Sequence, residues 1–274
     1  MPQDSPIFDP IKFKCFNMNL QLLRHATQIL SANGKTILID PMLGPKGSYD
    51  PIPNTANTLR NPLVDLPISN DELEQLIART DAVLVTHVQH LDHWDAAARE
   101  LLPKNITLFC QPADTETICE AGFTNVIPVN EELVWEGIRI NRTGGHHGTG
   151  EIGERMGTVS GYVINYGDDS IYIAGDTVWC AEVQEALDKY QPAHIVLNGG
   201  AGRFLTGDPI VMDINDIITV CNHAPKAHVY VVHLETANHC GESRADVKAA
   251  LATHHLGGRC HVPNDGELFI SDNV

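Results

Sequence analysis

Apolar and polar positions alternate along this chain with two periods. Stretches with a period near two read as strands, and stretches with a period near 3.6 read as amphipathic helices. Residues 16–23 alternate in the first way. Residues 27–30 and 36–40 read as two further strands joined at Asn33-Gly34, a pair that favours a tight hairpin turn. Residues 43–63 are rich in Pro, Gly and Asn and read as a long surface loop, a kind of segment that often carries function. Ser69 and Glu72 have capping-box spacing and open a helix over 71–79. The run at 81–86 is a buried strand leading into a His-rich loop, and a helix over 95–102 stops at Pro103.

The same reading continues to the end of the chain. It predicts strands at 106–109, 126–129, 133–142, 161–166, 170–174, 194–197, 228–233 and 267–271. It predicts helices at 115–121, 181–190, 213–222 and 242–254. The first half is strand-heavy, and helices follow strands in both halves. An α/β (α+β) protein of two packed sheets with helices outside fits that order. No repeat, low-complexity tract or linker divides the sequence, so residues 1–274 read as a single domain.

Charge narrows the partners. With 35 acidic and 18 basic residues the formal net charge is -17, which repels polyanions at long range and disfavours a general nucleic-acid binder. A small-molecule substrate remains compatible with it, because a metal or a few cationic side chains can reverse the field locally. Met1 to Ser5 lacks the basic start of a secretory leader, and no apolar stretch reaches membrane-spanning length. The seven Cys are odd in number, scattered and outside CxxC pairs, which reads as reduced thiols and a cytoplasmic setting. Whether the chain forms a homo-oligomer stays open.

The most informative stretch is Thr86-His87-Val88-Gln89-His90-Leu91-Asp92-His93-Trp94-Asp95. Three His and an Asp fall within seven residues, directly after a buried strand. Imidazole and carboxylate suit zinc, iron and manganese, and an irregular loop at a strand end lets several side chains converge. The competing reading is a solvated polar loop, which this density of ligand-type residues makes the poorer one. Further such residues recur after strands: His146-His147, Asp176, His233 and His239. Each alone is weak, since a strand-end Asp can cap a helix and a lone His is more often structural.

Taken in order, these residues resemble the metallo-β-lactamase fold superfamily, and within it the ascorbate-6-phosphate lactonase-like hydrolases. The resemblance covers nearly the whole chain, from Leu38-Ile39-Asp40-Pro41 through residues 86–95, His147-Gly148, residues 173–177 and 233–239 to Asp265-Gly266-Glu267. It implies a four-layer αββα sandwich. It also implies that His87, His90 and His147 are ligands of one metal, and that Asp92, His93 and His233 are ligands of a second. Asp176 would bridge them, and Asp40 would orient a ligand.

One departure bears on the first metal. The superfamily has one residue between its first two His, whereas Val88 and Gln89 both lie between His87 and His90. Aligned from Asp92 and His93, the first position falls on Val88, which cannot bind metal. A one-residue bulge would restore His87. His146 is the alternative to His147, and His239 the alternative to His233.

The resemblance implies a metal-dependent hydrolase with one or two divalent cations. Zinc suits the ligand set, manganese is the main rival and iron a third. A hydroxide held between two metals would attack a small ester or lactone-type substrate, anionic or phosphorylated ones included. Asp92 would orient the nucleophile, and His239 is the candidate proton donor. Phosphodiester cleavage and a non-catalytic metal-binding relative are the alternatives, since one fold hosts many functions.

Overall fold

The computed structural model describes residues 18–271. Phe16, Cys15 and the Met1 to Ser5 stretch lie outside the described residues. Two seven-stranded sheets lie face to face, with helices on both outer faces.

The first sheet begins with β1 (Met18–Arg24), β2 (Thr27–Ala32) and β3 (Lys35–Ile39), which pair antiparallel in succession. The hairpin between β2 and β3 turns at Asn33 and Gly34, both with positive φ, as an Asn-Gly pair favours. From β3 the sheet continues in parallel through β4 (Ala82–Leu84), β5 (Thr107–Cys110) and β6 (Val126–Pro128). Helices α1 (Asn70–Arg79), α2 (Ala96–Leu101) and α3 (Thr115–Glu120) make these crossovers. The capping box of Ser69 and Glu72 opens α1 as expected.

The second sheet repeats the plan. Strands β7 (Glu132–Trp135), β8 (Ile138–Thr143), β9 (Gly161–Tyr166) and β10 (Asp169–Ile173) run antiparallel. Helix α4 (Gly150–Met156) lies between β8 and β9. Parallel strands β11 (His194–Asn198), β12 (His228–Val232) and the two-residue β13 (Cys260–His261) follow, with helices α5 (Ala181–Tyr190), α6 (Ile214–His223) and α7 (Arg244–Thr253). Finally β14 (Leu268–Ile270) returns to the first sheet beside β1. The strand expected over 133–142 is in fact two, because Glu136 and Gly137 take φ of 49° and 75° and turn the chain back.

Alternation along each strand builds three apolar layers. Ile37, Ile39, Leu84, Ile171, Ile173 and Val232 meet in the space between the sheets. Their neighbours Leu38, Val83 and Val85 pack outward with Leu76 of α1 and Ala98 of α2. On the other side Tyr172, Ile195, Val229 and Val231 pack with Val183, Ile217 and Val247 of α5, α6 and α7. Strands buried on both faces require apolar side chains at consecutive positions, which is why the central strands read as continuous apolar runs. The observed order of layers is the αββα sandwich. Among the described residues no helix is long and apolar enough to cross a membrane.

Within the second sheet the strands fit tightly where β8, β9 and β10 meet. A Cβ on Gly161 would lie 2.7 Å from Thr143 Oγ1 and 2.8 Å from the carbonyl oxygen of Ala174. Backbone cannot yield cheaply there. Gly161→Ala is expected to cost about 1–3 kcal/mol, read as a lower midpoint of denaturant unfolding. Gly258→Ala, where nothing lies within 4 Å, is the control and should be neutral or slightly stabilising. Equal midpoints for the two variants would contradict the packing account.

Candidate functional site

Parallel strands in both sheets deliver their carboxyl ends to one rim, where ligands of α/β sheets bind. Asp40 follows β3, the His-rich loop follows β4, Asp176 follows β10, and His233 follows β12. His147 follows β8, in the loop before α4.

Two groups of ligand-type atoms form there. His87, His90, His147 and Asp176 make one, and Asp92, His93, Asp176 and His233 make the other. Within each group the atoms lie within 4.8 Å of one another, and Asp176 belongs to both. The structure therefore gathers all seven residues that the sequence singled out as ligands.

The two-residue gap between His87 and His90 is absorbed by the loop. Val88 packs its side chain against the outer core of the first sheet. Its N–H donates to Asp114 Oδ2 at 3.1 Å, and Gln89 Nε2 donates to Asp114 Oδ1 at 3.3 Å. His87 consequently turns inward, with Nε2 3.0 Å from His90 Nδ1. His146 points away and pairs with Glu182 at 3.0 Å, so His147 is the inward member of that pair.

Neighbouring groups hold most of these rings by the nitrogen that faces away from the cluster. His93 Nδ1 pairs with Asp40 Oδ2 at 3.0 Å, and Asp40 also accepts from the Thr86 N–H at 2.7 Å and hydroxyl at 2.8 Å. His147 Nδ1 donates to the Ile210 carbonyl at 2.7 Å, and His233 Nδ1 to the Gly199 carbonyl at 3.2 Å. Asn198 Nδ2 donates to Asp176 Oδ1 at 2.7 Å. Such partners fix ring orientation and tautomer at metal sites.

Atoms on the inner side lack such partners. His93 Nε2 and His233 Nε2 are buried with no hydrogen-bond partner, yet they face Asp176 oxygens at 3.1 and 3.6 Å. His90 Nδ1 lies 3.0 Å from both His87 Nε2 and His147 Nε2, and one proton cannot serve both contacts. A cation among these lone pairs would satisfy all of them at once. The donor set thus fits divalent transition metals.

Sequence reasoning missed His25 and Asp114. His25 sits in the turn between β1 and β2, fully buried, with Nε2 3.2 Å from Asp92 Oδ2. Its neighbour Arg24 is buried too and donates to the carbonyls of Met42, Gly44 and Val64. A polar Arg-His pair between two apolar strands was the available signal. Asp95 caps α2 through the Ala98 N–H at 2.7 Å and takes no part in the cluster.

A cavity of about 350 Å³ opens onto the groups. His90, Asp92, His147 and Asp176 lie along it, with His239 beside them. Its other walls include Met42, Ile52, Leu91, Met156, Phe204 and Ile210. Asn238 pins the long loop that forms one wall: its side chain bonds to Ile52, Thr55, Asn57 and Asn61. His239 belongs to neither group of ligand atoms, and its ring centroid lies 5.7 Å from that of His233. Gly202 makes room for it, since a Cβ there would meet His239 Cδ2 at 2.4 Å.

Charge states divide the imidazoles. Burial opposes a charge on His93, but Asp176 and then Asp40 outweigh it and hold its pKa up to about 10. Burial likewise opposes His233, and Asp176 and Asp92 raise it above the ordinary value. Burial pushes His239 to about 4, and burial with the nearby His147 brings His90 to about 4. Burial would raise Asp176, but His93 and His233 hold it well below the usual carboxylate range.

These shifts set a pH dependence for the metal-free protein. His93 binds its proton more tightly folded than unfolded, so its contribution is whole below pH 6.5 and is lost as pH rises from 6.5 towards 10. His90 and His239 are shifted the other way, and their contribution is lost as pH falls from 6.5 towards 4. The Tm of chelator-treated protein is expected to peak near pH 6.5 and fall on both sides. Metal requires an unprotonated His93 nitrogen, so loading with zinc should remove the alkaline decline. A stripped protein whose Tm rises steadily from pH 6.5 to 10 would contradict the ion-paired His93.

Known proteins resemble this chain in sequence and fold. The sequence profile of the Beta-lactamase superfamily domain matches residues 35–234. The UPF0173 protein YddR of Bacillus subtilis is 39% identical over 256 residues, covering 92% of this chain and 99% of the relative. Among solved structures, a possible metal-dependent hydrolase from Veillonella parvula superposes with a TM-score of 0.87 at 36% identity, covering 92% of this chain and 98% of that one. An isothiocyanate hydrolase from Delia radicum gut bacteria superposes with a TM-score of 0.86 at 35% identity, over the same shares of both chains. The fold is that of the metallo-β-lactamases, and the chain belongs to the beta-lactamase superfamily and, within it, to the UPF0173 proteins.

Proposed function

We propose that this protein is a metal-dependent hydrolase of small, uncharged molecules that carry an electrophilic carbon on an apolar body. One observation carries the proposal: two His/Asp groups, buried except for the half-buried His90, share Asp176 at the wall of a largely apolar cavity. His87, His90, His147 and Asp176 would hold one cation, and Asp92, His93, His233 and Asp176 the other. Bound there, two divalent cations supply Lewis-acid polarisation and bring the pKa of water towards neutrality.

The chain's own residues do the rest. Asp92 is ionised and orients the attacking water from the cavity side. Met42, Ile52, Phe204 and Ile210 hold the apolar part of the substrate and exclude solvent. His239 enters neutral, because burial lowers its pKa to about 4. It therefore donates a hydrogen bond to the charge that develops, which stabilises the transition state without surrendering a full proton.

The cavity walls favour an uncharged substrate. Lys46, Arg60, Arg142, Arg155 and Arg203 lie in or beside loops where a cationic side chain could meet an anionic group, and of these Arg155 alone lines the cavity. Arg60 pairs with Asp50, and Arg142 donates to Asn130 and Ser160. The isothiocyanate hydrolase neighbour supports the same class, since its substrate has a central electrophilic carbon. Water adding to that carbon yields an amine and carbonyl sulfide. Lactones and esters present a comparable carbon, and the lactonase-like reading stands as the second arm.

Two outcomes are expected. Chelation should abolish turnover and added zinc or manganese should restore it, while Asp92→Ala lowers kcat/KM by about 1,000-fold or more, about 4 kcal/mol. Full turnover by either preparation would remove the metal-dependent reading. In a substrate panel, aryl and alkyl isothiocyanates should be hydrolysed with higher kcat/KM than lactones, and both with higher kcat/KM than phosphodiesters. Preference for a phosphodiester would overturn the substrate class.

A further inference from the structure

We propose that His25 is a positioning residue for the second group of ligand atoms, Asp92, His93, Asp176 and His233, and acts on that group alone. The inference rests on the metal-binding reading above and adds a residue to it.

His25 reaches this group in three ways. Its Nε2 lies 3.2 Å from Asp92 Oδ2, and an ionised carboxylate can only accept, so the ring nitrogen is the donor. Its ring lies against that of His233, with centroids 3.6 Å apart and planes tilted by 34°. Its carbonyl accepts the His233 backbone N–H at 3.0 Å. One residue of the first sheet therefore holds a side chain from the loop after β4 and both the ring and the backbone of a residue after β12.

Backbone geometry shows that this position is specified. His25 and His233 both take left-handed conformations, with φ of 59° and 67°. Such conformations cost roughly 1–3 kcal/mol in non-glycine residues and persist where surroundings enforce them. A histidine kept only to fill space would be poorly chosen. It is fully buried, its Nδ1 has no hydrogen-bond partner, and a phenylalanine ring would fill the space without an orphaned nitrogen.

The contacts are also one-sided. None of the three reaches His87, His90 or His147, and the His25 ring meets His93 only edge-on at 6.3 Å. Removing the N–H should loosen Asp92 while leaving the first group intact. Partners of this kind are worth about 10- to 100-fold in metal affinity.

The test is a cobalt(II) titration of the chelator-stripped full chain, followed by visible absorbance and by metal content after desalting. Wild type should take up two ions. His25→Phe keeps a ring against His233 and lacks the donor. It should take up one ion at wild-type affinity and bind the other about 10- to 100-fold more weakly, with altered absorbance for that ion only. His25→Met, also without a donor, should behave the same way and serves if the phenylalanine variant does not fold. His25→Gln places an amide N–H near the same point and should recover most of the lost affinity. Both ions bound at wild-type affinity in the Phe and Met variants would overturn the positioning role and leave the metal reading standing. Equal weakening of both ions would overturn its restriction to one group. A wild type that binds no cobalt would overturn the metal reading itself, and this proposal with it.

Discussion

Asp176 sits at the centre of the molecule's chemistry because one buried carboxylate faces three imidazoles. Its Oδ2 lies 3.1 Å from His93 Nε2 and 3.5 Å from His147 Nε2, while Oδ1 lies 3.6 Å from His233 Nε2. The side chain is 1% exposed, so water cannot screen these contacts. Burying a carboxylate is costly unless it is matched by positive charge and hydrogen bonds. Raised pKa values on His93 and His233 supply that match when the nitrogens carry protons. Bound cations would supply it when they do not. The same crowding that makes metal-free protein sensitive to pH makes the groups receptive to metal.

The fold exists around this point as a consequence of strand direction. Each sheet pairs antiparallel strands with a run of parallel ones, and the parallel strands end on the same rim. Alternating apolar side chains lock each strand's register, because a slip of one residue would turn the core face outward. Asp40, Asp176 and His233 are therefore placed by packing several residues away. The cavity depends on longer segments pinned by a few polar anchors: Arg24, Asp95 and Asn238 between them tie the loop over residues 42–61 to the scaffold.

Much of this was legible in the sequence. Period and turn chemistry located the central strands and most helices, including α5 at its observed bounds. The order of His and Asp after strand ends pointed to the cluster that the structure gathers. Other features lay beyond reach for physical reasons. Spacing counts residues and does not trace backbone, so the Val88-Gln89 insertion leaves His87 open in the sequence, and only the fold shows Val88 packed against the outer core. Gly150 and Gly153 have poor helix propensity and hid α4. Glu136-Gly137 lacks the Asn that marks a hairpin, so β7 and β8 read as one strand. His25 works through Asp92, 67 residues away, a relation that only the folded chain displays.

The most direct measurement of the central claim is anomalous diffraction from crystals of the zinc-loaded protein. Two peaks about 3.5–4 Å apart are expected. They should flank the Asp176 carboxylate, with His87, His90 and His147 on one and Asp92, His93 and His233 on the other. Peaks bound elsewhere, or no peak within reach of Asp176 at saturating zinc, would contradict it.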